Sequence, residues 1–298
     1  MKEKRLQISD IVFKLLGYLV MGLFAFLCVY PIYYVFIYSI SDPQLAQTGI
    51  LLWPKGFSLE GYKAVFTLDS IASAFVVSVL RTVSGTILSV VSCGFLAYLM
   101  TQKDMPARKL IYRFMIITMY IGGGLIPTYL WMRMLHLTNS FLIYIVPGAL
   151  SAYNVILIKT YLESVPASLE ESAQLDGAGR LTIFFRIIMP LSLPILATIA
   201  VFTAVGQWGS WFDNMLYISN PKLNTLQYIL YRYLNEAEAL TRQLQQSTNL
   251  NAVSGQRTLT PESIKMAITM VVILPILFVY PYMQKYFMKG IMVGAIKG

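Results

Sequence analysis

The chain has 298 residues, of which 57% are hydrophobic and 12% charged, and its formal net charge is +9. This composition excludes an ordinary soluble domain, and in a chain so apolar a basic balance indicates a membrane surface rather than nucleic acid as partner. Length alone favours two domains, but continuous apolar runs predict one all-α, polytopic membrane domain.

Six apolar runs reach or exceed the roughly 20 helical residues that cross a bilayer. The predicted spans lie at about 11–40, 71–100, 108–131, 140–162, 188–219 and 263–286. Their excess length predicts tilt, kinks or interfacial ends. The first run extends beyond a signal-peptide core and lacks a small-residue cleavage pattern, so we expect it to be retained.

Basic residues near the spans decide the predicted orientation. A cytoplasmic N-terminus places most of the Lys and Arg residues inside, and the C-terminus then also lies in the cytoplasm. The same orientation puts residues 163–190 inside and a long polar loop, 220–262, outside. Because long loops in compact chains are usually functional, contact with an extracytoplasmic solute-binding protein competes with a merely solvated loop.

Arg81 lies about ten residues into the second predicted span. A charge at that depth is costly and normally faces protein or a water-filled cavity. Two interpretations remain open: Arg81 lines a translocation pathway for an acidic or hydroxyl-rich substrate, or it is a structural anchor bonded to helix carbonyls or a partner subunit. The structural interpretation is favoured.

A polar and aromatic cluster, residues 207–214, lies toward the outer end of the fifth predicted span. Aromatic rings beside amide and carboxylate groups suit carbohydrate recognition, although Trp and Tyr also form ordinary interfacial belts. The belt interpretation is favoured. The substrate-pathway candidates are Arg81, Trp208, Trp211 and Asn214.

Metal or catalytic chemistry has little support in the sequence. Cys28 and Cys93 lie in predicted spans, His136 is the single histidine, and no phosphate-binding GxxxxGK[ST] segment occurs. We therefore predict no metal site, no disulfide and no enzyme activity, and any ATP and Mg that power this protein must be bound by another chain. Gly122, Gly123 and Gly124 interrupt the third run and are a candidate hinge or close helix contact.

Residues 163–190 form a polar, glycine-broken segment between apolar ones. Ser168 and Glu171 have capping-box spacing, so a short helix is predicted to begin there. Residues 176–179 then interrupt it, and apolar residues resume at helical spacing from Ile183. The pattern predicts a helix, a turn and a second helix at the membrane surface, able to dock into a soluble partner.

The same segment resembles the cytoplasmic motif of binding-protein-dependent ABC importer permeases. That motif reads Glu-Ala-Ala, three residues, Gly, nine residues, then Ile-x-Leu-Pro, and here Ser172 and Met189 replace the usual Ala and Leu. The resemblance implies these ATPase-coupling residues: Glu170, Glu171, Ser172, Ala173, Asp176, Gly177, Ile187 and Pro190.

Residues 187–219 and 280–298 are similar to carbohydrate-uptake permeases of the maltose-permease superfamily, and closest to its polysaccharide or lipoprotein-type branch. This resemblance implies a bacterial cytoplasmic membrane protein that passes an oligosaccharide, with acidic ones such as alginate included. The implied partners are a second, different permease, two ATPase subunits and a solute-binding protein. It also implies that the tail through Gly294 and Gly298 lies near the ATPase.

Two alternatives come from other classes. An ion-coupled secondary transporter would need intramembrane carboxylates, and Asp213 near a span end is the one candidate. A membrane scaffold subunit would leave the motif spacing from Glu171 to Pro190 unexplained.

Overall fold

The computed structural model describes residues 8–49, 52–66, 69–235 and 260–295. Regular structure in these residues is helical, apart from an isolated bridge between Ser41 and Phe57, which confirms the all-α prediction. The helices are α1 Ile8–Ser39, α2 Pro43–Ala46, α3 Glu60–Phe66, α4 Asp69–Thr101, α5 Arg108–Tyr120, α6 Leu125–Met134, α7 Ala152–Leu162, α8 Ser168–Leu175, α9 Arg180–Leu191, α10 Leu193–Gly209, α11 Phe212–Tyr217, α12 226–235 and α13 Pro261–Ala295.

Three helices are long and apolar enough to cross a membrane over Val12–Ser39, Ser70–Thr101 and Pro261–Pro281. The pair α9 and α10 qualifies jointly, but it is bent by 83°. These stretches correspond to the first, second, sixth and fifth predicted spans. The count of six stays a prediction.

Glycine and proline divide the other two predicted spans into shorter helices. In 108–131, α5 ends at Tyr120 and α6 begins at Leu125, after Gly124 adopts a φ of +78° that suits glycine. In 140–162, a 3₁₀ turn at Phe141–Tyr144 precedes irregular backbone around Pro147, and α7 follows. Pro147 has no N–H to donate and disfavours helical backbone in the residue before it.

The fifth predicted span, 188–219, lies in a longer and broken helical unit. α9 begins at Arg180, its middle part Phe184–Ile188 is a π-helix, and the bend falls at Ser192. Pro190 and Pro194 flank this residue, and neither can donate a backbone hydrogen bond. The Ser192 N–H remains paired with the Ile188 carbonyl at 2.9 Å.

The described residues divide into two compact units, drawn from Met1–Leu68 with Tyr233–Ile273 and from Asp69–Arg232 with Leu274–Gly298. In the first unit, Ile37 and Tyr38 of α1 pack with Ala46 and Met266. Gly61 of α3 lies so close to α13 that an added Cβ would be 3.2 Å from the Ser263 carbonyl oxygen.

The second unit has a core between α4, α7, α9 and α10. Its buried side chains include Tyr98 of α4, Ile158 of α7, Phe184 of α9 and Ile199 of α10. Phe184 stacks on Tyr98 with ring centroids 5.6 Å apart and meets Phe95 edge-on at 5.2 Å. The predicted coupling residues and the predicted substrate-pathway residues all lie in this unit.

Candidate coupling surface and polar cavity

The coupling surface consists of α8, the turn after it and the first residues of α9. Ala173 of α8 is buried in the core of the second unit, whereas Glu171, Ser172 and Asp176 are exposed. Leu175 is 90% exposed, the highest value among the exposed large apolar side chains of the described residues. One face of α8 is therefore anchored, and the other is presented outward.

Gly177 ends α8 in a left-handed conformation, with φ at +81°. Its N–H donates to the Gln174 carbonyl at 3.0 Å, and the Ala178 N–H donates to the Ala173 carbonyl at 3.0 Å. These two bonds form a Schellman motif, and the two alanines share the same apolar core. The glycine predicted as part of the coupling motif thus sets the direction in which the chain leaves α8.

The predicted capping box is absent from α8. Ala167 occupies the N-cap position and makes no side-chain cap bond, and Ser168 is already inside the helix. The chain turns one step earlier than predicted, because the Leu169 N–H donates to the Pro166 carbonyl at 3.3 Å and the Glu171 N–H donates to Ala167 at 3.0 Å. The proline starts the first turn, and Ser168 cannot act as a cap from within the helix.

Glu170 is held by side chains from the end of α4. The Tyr98 hydroxyl donates to its Oε1 at 2.8 Å, and Gln102 Nε2 donates to its Oε2 at 3.2 Å. Arg180 at the start of α9 forms an ion pair with Asp104, which follows α4. Tyr98 and Gln102 were not predicted as partners of Glu170, because the bonds span 72 and 68 positions along the chain and no local pattern signals them.

The remaining predicted coupling residues lie on α9. Ile187 is half-buried against the core of the second unit, and Pro190 is exposed close to the bend at Ser192. A polar groove of about 490 Å³ is lined by residues of α8, of the turn after it and of the end of α4. Its lining includes Lys103, Glu171 and Gln174.

A second concave region, the polar cavity, has a volume of about 380 Å³. Its lining comes from α4, α6, α7, α10 and α11 and from the segment before α7. The polar and aromatic side chains on it include Arg81, Thr128, Tyr144, Asn154, Gln207, Asp213 and Tyr217.

Arg81 is 2% exposed and lies at the edge of this cavity. Its Nη2 and Nη1 atoms donate to the two carboxylate oxygens of Asp213 at 2.5 and 3.3 Å. Nε donates to Gln207 Oε1 at 3.2 Å, and Nη1 also donates to the Ser210 carbonyl at 3.2 Å. The guanidinium carbon lies 4.3 Å from the centre of the Tyr144 ring. Such a two-point ion pair with further hydrogen bonds compensates the cost of burying the charge.

The partners of Arg81 are themselves held in place. Asp213 Oδ1 accepts from the Ser210 hydroxyl and from the Asn214 N–H, each at 2.9 Å. Gln207 Nε2 donates to the Tyr144 carbonyl at 3.1 Å. Gly85 leaves room for this amide, since an added Cβ would lie 2.7 Å from Gln207 Nε2.

The other predicted pathway residues do not line the polar cavity. Trp208 is buried, meets Phe75 edge-on at 6.4 Å and borders a separate apolar groove of about 230 Å³. Trp211 stacks on Tyr231 at 3.9 Å. The Asn214 side chain is fully buried and bonds to Asn224 and Thr225, which is a structural role. Four further cavity residues were not predicted, because they are separated along the chain and carry no motif: Thr128, Tyr144, Asn154 and Tyr217.

Several predictions fall outside the part of the chain that the structure describes. Residues 236–259 of the predicted outside loop and residues 296–298 of the tail are among them. Within the described ranges, no three His, Cys, Asp or Glu side chains are grouped so that they could hold a metal ion.

Comparison with known proteins decides the family. The family model described as binding-protein-dependent transport system inner membrane component matches residues 3–293. The chain belongs to this family. This permease is therefore a multi-pass component of a transport system in the bacterial cytoplasmic membrane, and the resemblance based on the spacing from Glu171 to Pro190 is confirmed.

Three relatives cover almost the whole permease. The polygalacturonan/rhamnogalacturonan transport system permease protein YtcP of Bacillus subtilis (strain 168) is 35% identical over 95% of this chain and 96% of its own length. Protein LplC of the same organism is 35% identical over 96% of this chain and 95% of its own length. A chain in the crystal structure of a bacterial ABC transporter involved in the import of the acidic polysaccharide alginate aligns with a TM-score of 0.83 at 29% identity, covering 96% of this chain and 100% of that one.

Proposed function

We propose that the permease is one subunit of an ATP-driven importer that passes a polysaccharide-derived oligosaccharide inward by alternating access. A solute-binding protein delivers the sugar, a second, non-identical permease completes the pathway, and two separate ATPase subunits bind ATP and Mg. The permease docks on one ATPase subunit through the coupling surface and the following residues of α9 as far as Pro190.

The exposed face of α8 is the observation that carries this proposal. Leu175 is 90% exposed next to the exposed Glu171 and Asp176, while Ala173 anchors the opposite face in the core. An exposed apolar side chain with carboxylates beside it suits a protein contact, because interfaces combine an apolar centre with a polar rim. Because the anchored face packs on the same core as α4, α7 and α10, a force on α8 would reach the helices around the polar cavity.

The polar cavity supports passage of a hydroxyl-rich substrate. Arg81 and Asp213 neutralise each other, which leaves Thr128, Asn154 and Tyr217 as neutral polar groups for sugar hydroxyls. Relatives named for polygalacturonan/rhamnogalacturonan and for alginate support a polysaccharide-derived cargo.

The geometry of Asp213 argues against ion-coupled secondary transport. A coupling carboxylate must bind and release its cation. Asp213 instead accepts two bonds from Arg81 and one each from the Ser210 hydroxyl and the Asn214 N–H. Both carboxylate oxygens therefore already accept hydrogen bonds from groups of the permease itself.

Purification and reconstitution test the proposal. We expect the tagged permease, isolated from its native membrane, to bring with it a second permease and an ATPase. Proteoliposomes of this complex, supplied with the solute-binding protein, should take up labelled trigalacturonate or an alginate trisaccharide with ATP inside, and raffinose serves as the neutral comparison. Isolation without an ATPase, or uptake that is independent of ATP, would refute the proposal.

A further inference from the structure

We propose that Tyr98 is a positioning residue for coupling, which together with Gln102 ties the coupling surface to α4. This inference rests on the proposed function, because it concerns how movement imposed by an ATPase reaches the polar cavity. It assigns the transmission to one hydroxyl and one amide at the end of α4.

The first connection is the Glu170 carboxylate. Tyr98 is fully buried, yet its hydroxyl reaches Oε1 of Glu170 at 2.8 Å, and Gln102 reaches Oε2 at 3.2 Å. Both oxygens of this α8 side chain are therefore bonded to groups from the end of α4. Bonds to an ionised carboxylate are about twice as strong as neutral ones, so α8 and the end of α4 should move together.

The second connection is the ring of the same tyrosine. It stacks on Phe184 of α9 with centroids 5.6 Å apart, and Phe184 is itself buried. Tyr98 thus contacts α8 through its hydroxyl and α9 through its ring. The Arg180–Asp104 ion pair joins the start of α9 to the same region.

α4 then connects this end to the polar cavity. Arg81 lies on the same helix, about 26 Å away along the axis at 1.5 Å per residue. No proline interrupts α4 between these positions. Arg108 also bonds to the Thr101 and Gln102 carbonyls at 3.1 and 3.3 Å, which secures the end of the helix. A displacement of Tyr98 should therefore reach Arg81 as movement of one rigid element.

The test measures how strongly nucleotide changes access to the cavity. Thr128 is exposed on the cavity lining, so Thr128→Cys in a Cys28→Ser background provides a maleimide-reactive reporter; Cys93 is buried and stays in place. The purified complex in lipid nanodiscs is labelled without nucleotide and after trapping with Mg, ATP and vanadate. Tyr98→Phe removes the hydroxyl and keeps the ring. The matched control is Tyr161→Phe, which removes a hydroxyl that donates to the Leu191 carbonyl at 3.3 Å.

We expect trapping to change the labelling rate about tenfold in the parent, within the usual range of coupling between sites. The ratio of the labelling rates with and without trapping should fall most of the way to one in Tyr98→Phe, while ATP hydrolysis and co-purification of the ATPase persist. Tyr161→Phe should keep the ratio of the parent. Glu170→Gln should lose the ratio as well, and combining it with Tyr98→Phe should add little, because both changes weaken the same bond.

A Tyr98→Phe ratio equal to that of the parent would overturn the inference and leave the proposed function standing. A parent that shows no effect of trapping would overturn both. If Tyr98→Phe lowers the yield of the complex, Gln102→Leu leaves the ring stack intact and is expected to reduce the ratio too; an unchanged ratio there would contradict the inference.

Discussion

Neutralising Asp213 should destabilise the permease by leaving the Arg81 charge buried without a counterion. Asp213→Asn keeps an oxygen for the Ser210 hydroxyl and removes the charge. Breaking one side of a buried ion pair costs about 3–5 kcal/mol. The Asp213 side chain is 24% exposed, and Arg81 retains bonds to Gln207 and Ser210. We therefore expect the free energy of unfolding to fall by about 2–3 kcal/mol, which is at or below the lower end of that range.

Unfolding in mixed micelles of dodecyl maltoside and dodecyl sulfate, followed by tryptophan fluorescence, measures this free energy. Arg81→Met combined with Asp213→Asn should recover at least about 1.5 kcal/mol relative to the sum of the single changes, because no unpaired charge remains. Asp104→Asn is the matched control, since its pair with Arg180 is half-exposed or more on both sides and should contribute less than about 1 kcal/mol. The reasoning would be refuted if the double variant lost as much unfolding free energy as the two single variants together. It would also be refuted if Asp213→Asn and Asp104→Asn lowered the unfolding free energy equally.

Three further predictions use changes of one residue. Gly177→Ala should reduce co-purification of the ATPase, because a side chain at φ +81° costs about 1–2 kcal/mol, whereas Gly179→Ala, at φ −72° and with equally open surroundings, should not. Gly85→Ala should displace the Gln207 side-chain amide and lower the apparent melting temperature of the permease. Gly206→Ala should leave that temperature unchanged, because an added Cβ there would have no neighbour within 4 Å. Asn214→Ala should lower the unfolding free energy by about 2–4 kcal/mol in the same micelle assay, because it leaves buried partners unpaired; a loss below 1 kcal/mol would contradict its structural role.

Local signals predicted the elements that depend on local chemistry. The polar interruption at residues 176–179 predicted a turn, and the structure places Gly177 there in a Schellman motif. The glycine run at 122–124 marks the separation of α5 from α6. The bend at Ser192 and the irregular backbone near Pro147 were harder to predict, because the apolar composition continues through both and only proline marks them.

The polar cavity depends on long-range contacts, which a single sequence does not reveal. Arg81 stands out as an intramembrane charge, but its partner Asp213 lies 132 positions later. Composition also failed to assign neighbouring residues to different faces. Gln207 and Trp208 are adjacent on α10, so their side chains point about 100° apart, and one faces the polar cavity while the other borders the apolar groove.

α4 contributes residues to both the polar cavity and the contacts of the coupling surface. An apolar helix that long needs no polar side chain for membrane insertion, and a charge buried in it is costly unless it is paired. The charge of Arg81 is compensated by Asp213 at the polar cavity, and the Tyr98 hydroxyl donates a hydrogen bond to Glu170 at the coupling surface. The two polar connections thus join one helix to α11 near its middle and to α8 near its C-terminal end. Under the proposed function, α4 relates the ATPase contact to the polar cavity within a single helix.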